Sequence, residues 1–415
     1  MLLAIKVKLL IDGTGSPALE HAIALVENNK IKAVGRQADI AIPEGYTVVD
    51  ASDKTLIPGL IDSHVHIQSS GDPRERQDRF SSPGRVALNA LRNVNRDLQA
   101  GFTTLRNCGT EFYVDIDVRD AIYRGDFMGP RIWASGVGLT ATRGHMDRGK
   151  SIPNYVKLDV PEVLCDTPDQ ARQSVMKNLN MNVDHIKMNI TISENVRRYR
   201  RECAPEMTKE VMQSAIEWSH YHGRKVTAHS HGGIGVTWAL EAGIDCLEHA
   251  YFLDDSHFEL MLKNNTSMCP TMSCIAKGLE HITPAERGPD LQGWYELVDE
   301  KLWTTVANAR KAGIRVIAGT DSAMPHTRHG NNATEMAYLV ERSGFSPMEA
   351  IRAATGAAAD AFEMPGVGYL QAGKFADLVI VDGNPLEDIK ILLDQSKILV
   401  VMVDGKIAKD KIGIA

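Results

Sequence analysis

The sequence predicts an α/β protein: a (β/α)8 barrel of the TIM type, with a small β-sandwich domain built from both chain ends. Three observations lead there. Short apolar stretches alternate with helical patterns through the middle of the chain, over roughly 300 residues. The two ends are β-prone instead, and titratable side chains gather where the central strands finish.

The N-terminal stretch reads as strands: "IKVKLLI", "AIALVENNKIKAVG" and "TVVDASDKTLI", joined by Gly, Asn-Asn and Pro-Glu-Gly turns. "FADLVIVDGNP" and "ILVVMVDGKIA" repeat the pattern near the C-terminus. The ends are therefore expected to pair as one composite β-domain, residues 1–57 and 358–415, with the barrel, 58–357, inserted between them. Its strands are "GLIDSHVHI", "GFTTLRNCG", "PRIWASGVGLT", "DHIKMNIT", "KVTAHSHG", "IDCLEHAYF", "SMCPTM" and "RVIAGTDS". Among the helices, "GRVALNALRNVNRDLQAG" repeats Ala87, Leu91, Val94 and Leu98 at helical spacing before a Gly stop. "PDQARQSVMKNLNM" and "TKEVMQSAIEWSHYHG" behave likewise. No glycine-rich phosphate loop supports an open doubly wound sheet.

Bulk properties narrow the function. The 415 residues are 43% hydrophobic and 24% charged, and the net charge of −7 gives a nucleic-acid partner no electrostatic support. No apolar run approaches the roughly 20 residues needed to span a bilayer. The opening "MLLAIKVKLLIDGTG" reads as a strand rather than a signal peptide. Cys108, Cys165, Cys203, Cys246, Cys269 and Cys274 form no C-x-x-C pair, so a reducing cytoplasm is expected.

A barrel places its site at the C-terminal strand ends. Strand one ends in His64 and His66, strand four carries Lys187, strands five and six end at His229 and His249, and strand eight ends at Asp321. Any one of these has a plain alternative: a hydrogen-bonded histidine, a snorkelling lysine, a capping aspartate. Six of them at one barrel mouth point to metal. Neutral imidazole and carboxylate suit Zn²⁺-class ions. A lysine amine buried beside cations loses its proton more readily and can add carbon dioxide, giving a carbamate that bridges two metals. One ion would take His64, His66 and Asp321, the other His229 and His249, with carboxylated Lys187 between.

That H-x-H, Lys, His, His, Asp order resembles the amidohydrolase superfamily, as do the entry segment "LIPGLIDSHVHI" and the exit segment "AGKFADLVIVDGNP". The resemblance covers essentially the whole chain. It implies a hydrolase with two divalent ions about 3.5–4 Å apart, which activate a bridging hydroxide. It also implies that Asp321 moves the proton from that hydroxide to the leaving group. A non-catalytic member would have lost ligands, and all six positions are intact.

"GLTATRGHMD" and "EHAYF" are most similar to the prolidase-like dipeptidases and carboxypeptidases, a branch related to imidazolonepropionase. Imidazolonepropionases use one metal and lack the bridging lysine, whereas Lys187 stands here. The resemblance implies that His145 and Tyr251 contact the substrate, and Arg143 offers a cation for a carboxylate or a loop ion pair. His231 and His185 are read as supporting or packing residues, and "RRYRR" at 197–201 as a solvated helix face. The expected reaction is hydrolysis of an Xaa-Pro dipeptide or N-acyl-proline-like amide, with Met188 and Met324 lining an apolar pocket. Alternatives are a C-terminal Arg/Lys served by Glu194, Asp254 or Asp255, a hydrophobic C-terminal residue, other N-acyl amino acids, cyclic amides or deamination. A small-molecule substrate, no nucleic acid or membrane partner and a homo-oligomeric assembly complete the expectation.

Overall fold

The computed structural model describes residues 1–72, 81–147, 163–191 and 203–414. "RRYRR" and Glu194 lie outside the described residues.

β1 (Leu2–Leu10), β2 (Leu19–Glu27), β3 (Lys30–Arg36) and β4 (Thr47–Pro58) occupy the N-terminal stretches read as strands. β5 (Leu60–Val65), β6 (Phe102–Asn107), β7 (Arg131–Trp133), β8 (Ile186–Asn189), β9 (Val226–Gly232), β10 (Cys246–Phe252) and β11 (Ser267–Cys269) follow. β12 (Leu378–Val381), β13 (Ile398–Val403) and β14 (Lys406–Asp410) come last. The described helices are α1 (Pro83–Gln99), α2 (Val114–Arg124), α3 (Pro168–Asn180), α4 (Lys209–Tyr221), α5 (Ile234–Glu241) and α6 (Asp255–Asn264). α7 (Met272–His281), α8 (Pro284–Ala312), α9 (Thr334–Ser343), α10 (Pro347–Ala353) and α11 (Gly356–Ala361) complete them.

Both chain ends share one seven-stranded sheet, ordered β14-β13-β12-β4-β1-β2-β3. The seam between them is the antiparallel pair β4–β12, with Leu56 opposite Ile380. The strands of the two ends form one continuous sheet. Ile5, Val7, Ala24, Val26, Leu56, Leu378, Ile380 and Met402, all from this sheet, share a buried cluster. The sheet thus covers its own apolar face. A register shift between Val7 and Leu9, against the 12-residue β4, gives it the local bend to do so.

The central strands are parallel and lie in two arcs, β5-β6-β7 and β11-β10-β9-β8. "RVIAGTDS" forms no ladder of its own, contrary to the sequence reading. Single parallel bridges pair Val316 with Met268 and Ser322 with Val65. On one side Ile317 donates to Met268 O (2.9 Å); on the other, Ser63 donates to Ala318 O and Asp321 to His64 O (2.8 Å each). Asp321 itself sits at φ 57°, outside the β region. Across the other gap, Leu139 donates to Lys187 O and Asn189 to Leu139 O, both at 2.9 Å.

α1 starts at Ser82, whose hydroxyl caps Arg85 N, and presents Val86, Ala90, Val94 and Leu98 to the core. Ala87 and Leu91 are only half-buried, so the inward stripe is turned about one position from the apolar reading. Two polar residues cause the turn. Asn93 donates to Ile67 O (2.9 Å), and Asp97 meets His329 Nδ1 at 2.7 Å, both buried. α3 carries the Thr167–Gln170 capping box, and Thr208 caps α4. All six cysteines are free, and Cys274 alone among them is not fully buried. Among the described residues no helix is long and apolar enough to cross a membrane.

Candidate metal centre

The residues named from strand ends converge. His64 Nε2 and His66 Nε2 lie 3.5 and 3.2 Å from Asp321 Oδ1, and the ligand atoms of all three fall within 4.8 Å of one another. The His64 ring is 5.2 Å from that of His249, which is 4.6 Å from His229. Lys187, 2% exposed, faces this group closely enough that its charge acts on His64, His229 and His249. Met188, the next residue on β8, points to the opposite side and joins the main core, so it does not line the site with Lys187.

Backbone kinks aim the ligands. His249 and Ala250 adopt φ 66° and 54°, and the register of β10 against β9 shifts between His249 and Phe252. Regular alternation would send Glu248 and His249 to opposite faces. With the kink, both reach His64: Glu248 Oε2 is 2.7 Å from His64 Nδ1. That bond turns His64 Nε2 toward Asp321 and its neighbours, the arrangement by which a carboxylate fixes the tautomer of a metal-binding imidazole. Gly319 lets the strand-eight segment come this close; a Cβ there would stand 2.8 Å from His64 N.

Several supporting residues were not named from sequence. Glu248 also meets Arg106 Nη2 (2.6 Å) and accepts from Thr227 Oγ1, all fully buried. Asp62 accepts from His64 N (3.0 Å), Thr320 N (3.1 Å) and Asn332 Nδ2 (2.7 Å), tying β5 to the strand-eight segment. Its position two residues before His64 on one strand was the available signal. Glu206 holds the loop after β7, accepting from Ala141 N (3.0 Å) and His145 N (2.8 Å).

The donor set fits Zn²⁺-class ions. Burial and then the charge of Lys187 push His64 down to about 4, and burial holds His229 and His249 well below the usual range, so all three imidazoles are neutral and free to ligate. Burial opposes ionisation of Asp321, but a poorly aligned hydrogen bond from His66 and, when they carry protons, the charges of His64, His66 and His249 hold its carboxyl below the usual range. Asp321 Oδ1 is buried and lacks an aligned hydrogen-bond donor.

The metal-free protein is expected to lose stability in acid. His64, His185, His229 and His249 all titrate below 6.5 when folded, so in that range the unfolded chain binds more protons and stability falls as pH falls. For His64 the window closes near 4. Glu335 and Asp62 act oppositely: burial lifts them to about 8 and about 6, and their contribution is lost as pH rises through those values. Burial raises Asp115 and Asp377 as well, so the fall in acid is carried by the four imidazoles together with the depressed carboxylates Glu248 and Asp321, each group changing stability by at most about 1.4 kcal/mol per pH unit. Above 6.5 Glu335 remains, with His329, which Asp97 raises against the effect of burial. Denaturant midpoints of chelated protein should therefore peak near neutrality. A flat profile between about pH 5 and 6.5 would contradict neutral imidazoles.

The residues expected to touch substrate divide. His145 is exposed, yet its ring stacks on His229 at 3.8 Å and 15°. Arg143 is exposed at φ 65° on the same loop, its backbone N donating to Asp147 Oδ2 (2.6 Å). Tyr251 is buried, with its hydroxyl 3.3 Å from Thr271 Oγ1 and 3.5 Å from His249 Nδ1. His231 stands edge-on to His229 at 4.6 Å, and its backbone N donates to Thr191 Oγ1 (2.9 Å). His185 is fully buried against Phe362, and neither ring nitrogen has a hydrogen-bond partner. Met324 is exposed one turn beyond Asp321. Asp254 caps α6 through Ser256 N and His257 N, which commits its carboxylate to the helix. Asp255 stands in the first turn of that helix, exposed.

A family model described as "Amidohydrolase family" matches residues 55–408. Ochratoxinase from Aspergillus niger is 30% identical over 431 aligned residues, covering 97% of this chain and 85% of its own. Its crystal structure superposes with a TM-score of 0.87 at 27% identity, over 100% of this chain and 96% of that one. The crystal structure of a Xaa-Pro dipeptidase with bound methionine gives the same TM-score and identity, over 98% and 99% of the two chains. Imidazolonepropionase from Nocardia farcinica is more distant, 22% identical over 89% of this chain and 88% of its own.

Proposed function

The chain belongs to the amidohydrolase family, and from that premise we propose that it is a metal-dependent hydrolase of Xaa-Pro dipeptides or N-acyl-proline-like amides. The observation that carries the reading is the convergence of His64, His66 and Asp321, with a buried Asp321 oxygen that no donor satisfies. On this reading the two parallel arcs, bridged through Leu139 and Val316, are one (β/α)8 barrel spanning 58–357. The shared sheet belongs to a composite domain of 1–57 and 358–415. Six free cysteines suit a reducing cytoplasm.

His64, His66 and Asp321 would hold one divalent ion of the Zn²⁺ class and His229 and His249 a second, with Lys187, once carboxylated, as a ligand available to both. When bound, such ions lower the pKa of water toward neutrality and polarise the scissile carbonyl. Asp321 accepts the attacking water's proton and returns it to the leaving nitrogen, without which an amide nitrogen leaves as a poor anion. Glu248 keeps His64 in one tautomer throughout. His145, carried over His229 by the loop that Glu206 holds, covers the open side of the site and meets the substrate. A proline leaving group suits the aromatic wall of His231, Tyr251 and Trp294, because its tertiary amide brings no N–H that needs an acceptor. Dipeptides with another C-terminal residue and other N-acyl amino acids are the second reading, favoured by the 30% identity to a chain named ochratoxinase.

The test is amino-acid release from Xaa-Pro, N-acyl-Pro, Xaa-Arg/Lys and Xaa-Leu/Phe substrates, by zinc-reconstituted and chelated protein. Chelator-sensitive release concentrated on proline supports the first reading. Release of another residue moves the substrate and keeps the chemistry; silence across the panel with two metals bound overturns both. His64→Asn should lose metal and activity while circular dichroism still reports the fold.

A further inference from the structure

Trp294, on α8, is 8% exposed, and its indole Nε1 has no hydrogen-bond partner. An indole N–H can only donate, and nearly all buried polar groups in folded proteins are paired, so this orphan calls for an acceptor. Its surroundings say where that acceptor lies. The Trp294 ring is 5.9 Å from His231 and 6.3 Å from Tyr251, at 78° and 67° to them. His231 in turn stands 4.6 Å from the proposed metal ligand His229. Trp294 is thus one ring removed from the centre, on the wall that the leaving half of a substrate would face.

Two neighbouring groups on that wall already have partners. The Tyr251 hydroxyl sits between Thr271 and His249, and His231 Nδ1 lies 3.5 Å from Thr191 Oγ1. We propose that the Trp294 N–H donates to the α-carboxylate of the substrate's C-terminal residue, making Trp294 a specificity-determining residue for substrates with a free carboxylate. The inference rests on the peptidase reading above. Within it, the acyl carbonyl goes to the metal side, and the carboxylate is the remaining strong acceptor, one residue further along. A donor already stripped of water there favours the carboxylate without a desolvation cost of its own at binding.

Trp294→Phe keeps an aromatic ring and removes the donor. With the metal-loaded full chain, kcat/KM is compared on one dipeptide, found active in the substrate panel, and on its C-terminal carboxamide. Wild type is expected to prefer the free acid, and Trp294→Phe to lose about 10- to 100-fold on the acid while changing little on the amide, the scale of a hydrogen bond to a charged group. The loss should appear mainly in KM, with metal content unchanged. Equal losses on acid and amide would assign Trp294 to packing and overturn the inference, and so would an unchanged acid preference. A wild type inactive on every free-acid substrate fails earlier: it overturns the peptidase reading, and this inference with it.

Discussion

Replacing Glu248 with glutamine is expected to destabilise the metal-free fold by about 3–5 kcal/mol, the usual cost of stranding one member of a buried ion pair. Metal affinity should fall by about 10- to 100-fold, as when other groups orienting a metal-binding histidine are removed. The geometry forces a choice on the amide. Glu248 touches Arg106 Nη2 with one oxygen and His64 Nδ1 with the other, at 2.6 and 2.7 Å. If the glutamine oxygen faces Arg106, its NH₂ donates to His64 Nδ1. The ring proton then sits on Nε2, and the lone pair needed for metal is gone. If the oxygen faces His64, the NH₂ abuts the guanidinium, which already has one unsatisfied nitrogen, Nη1.

The two effects separate in a double variant. Arg106→Met with Glu248→Met removes both charges and fills the space beneath Phe362, over whose ring the Arg106 guanidinium lies at 4.0 Å. Stability should recover in part, because an apolar pair of similar volume often replaces a buried ion pair at little cost. Metal affinity should stay low, since nothing fixes the His64 tautomer. Urea midpoints of chelated protein and competitive chelator titrations read the two quantities. A single variant that binds metal like wild type would show that Glu248 serves the fold alone.

What the sequence disclosed, and what it hid, follows from strand geometry. His64 and His66 were legible because a spacing of two keeps residues on one face. Lys187, His229 and Asp321 were legible because apolar strands announce where they end. Glu248 was hidden by its neighbour: adjacent strand residues are expected on opposite faces, and the left-handed backbone at His249 cancels that rule locally. The curvature of the shared sheet at the chain ends stayed hidden, because alternation reports which side of a strand is apolar, not how far the sheet curls. Trp294 was invisible for another reason. It lies on a 29-residue helix, where apolar spacing reports only burial, and a partnerless N–H is a property of the assembled wall.

Lys187→Ala is the other large effect. The side chain is buried, its charge acts on His64, His229 and His249, and a fixed ammonium there would repel divalent ions. On the proposed reading, carboxylation would reverse the sign, from one positive to one negative charge, and would supply two oxygens as ligands. Removal should lower kcat/KM by on the order of 10²–10³ or more, the scale of losing one pre-set electrostatic contact to a transition state. Bound metal should fall from two equivalents toward one, because His64, His66 and Asp321 form a set without it. A short carboxylic acid such as propionate, added to the alanine variant, should restore part of the rate by entering the vacated space, whereas Lys187→Met should resist rescue because its side chain fills that space. For wild type, metal loading in carbon-dioxide-depleted buffer should lag behind loading with added bicarbonate. A Lys187→Ala variant that keeps two metals and the full rate would refute the bridging role and leave a site with one essential metal, which is the arrangement the resemblance assigns to imidazolonepropionases.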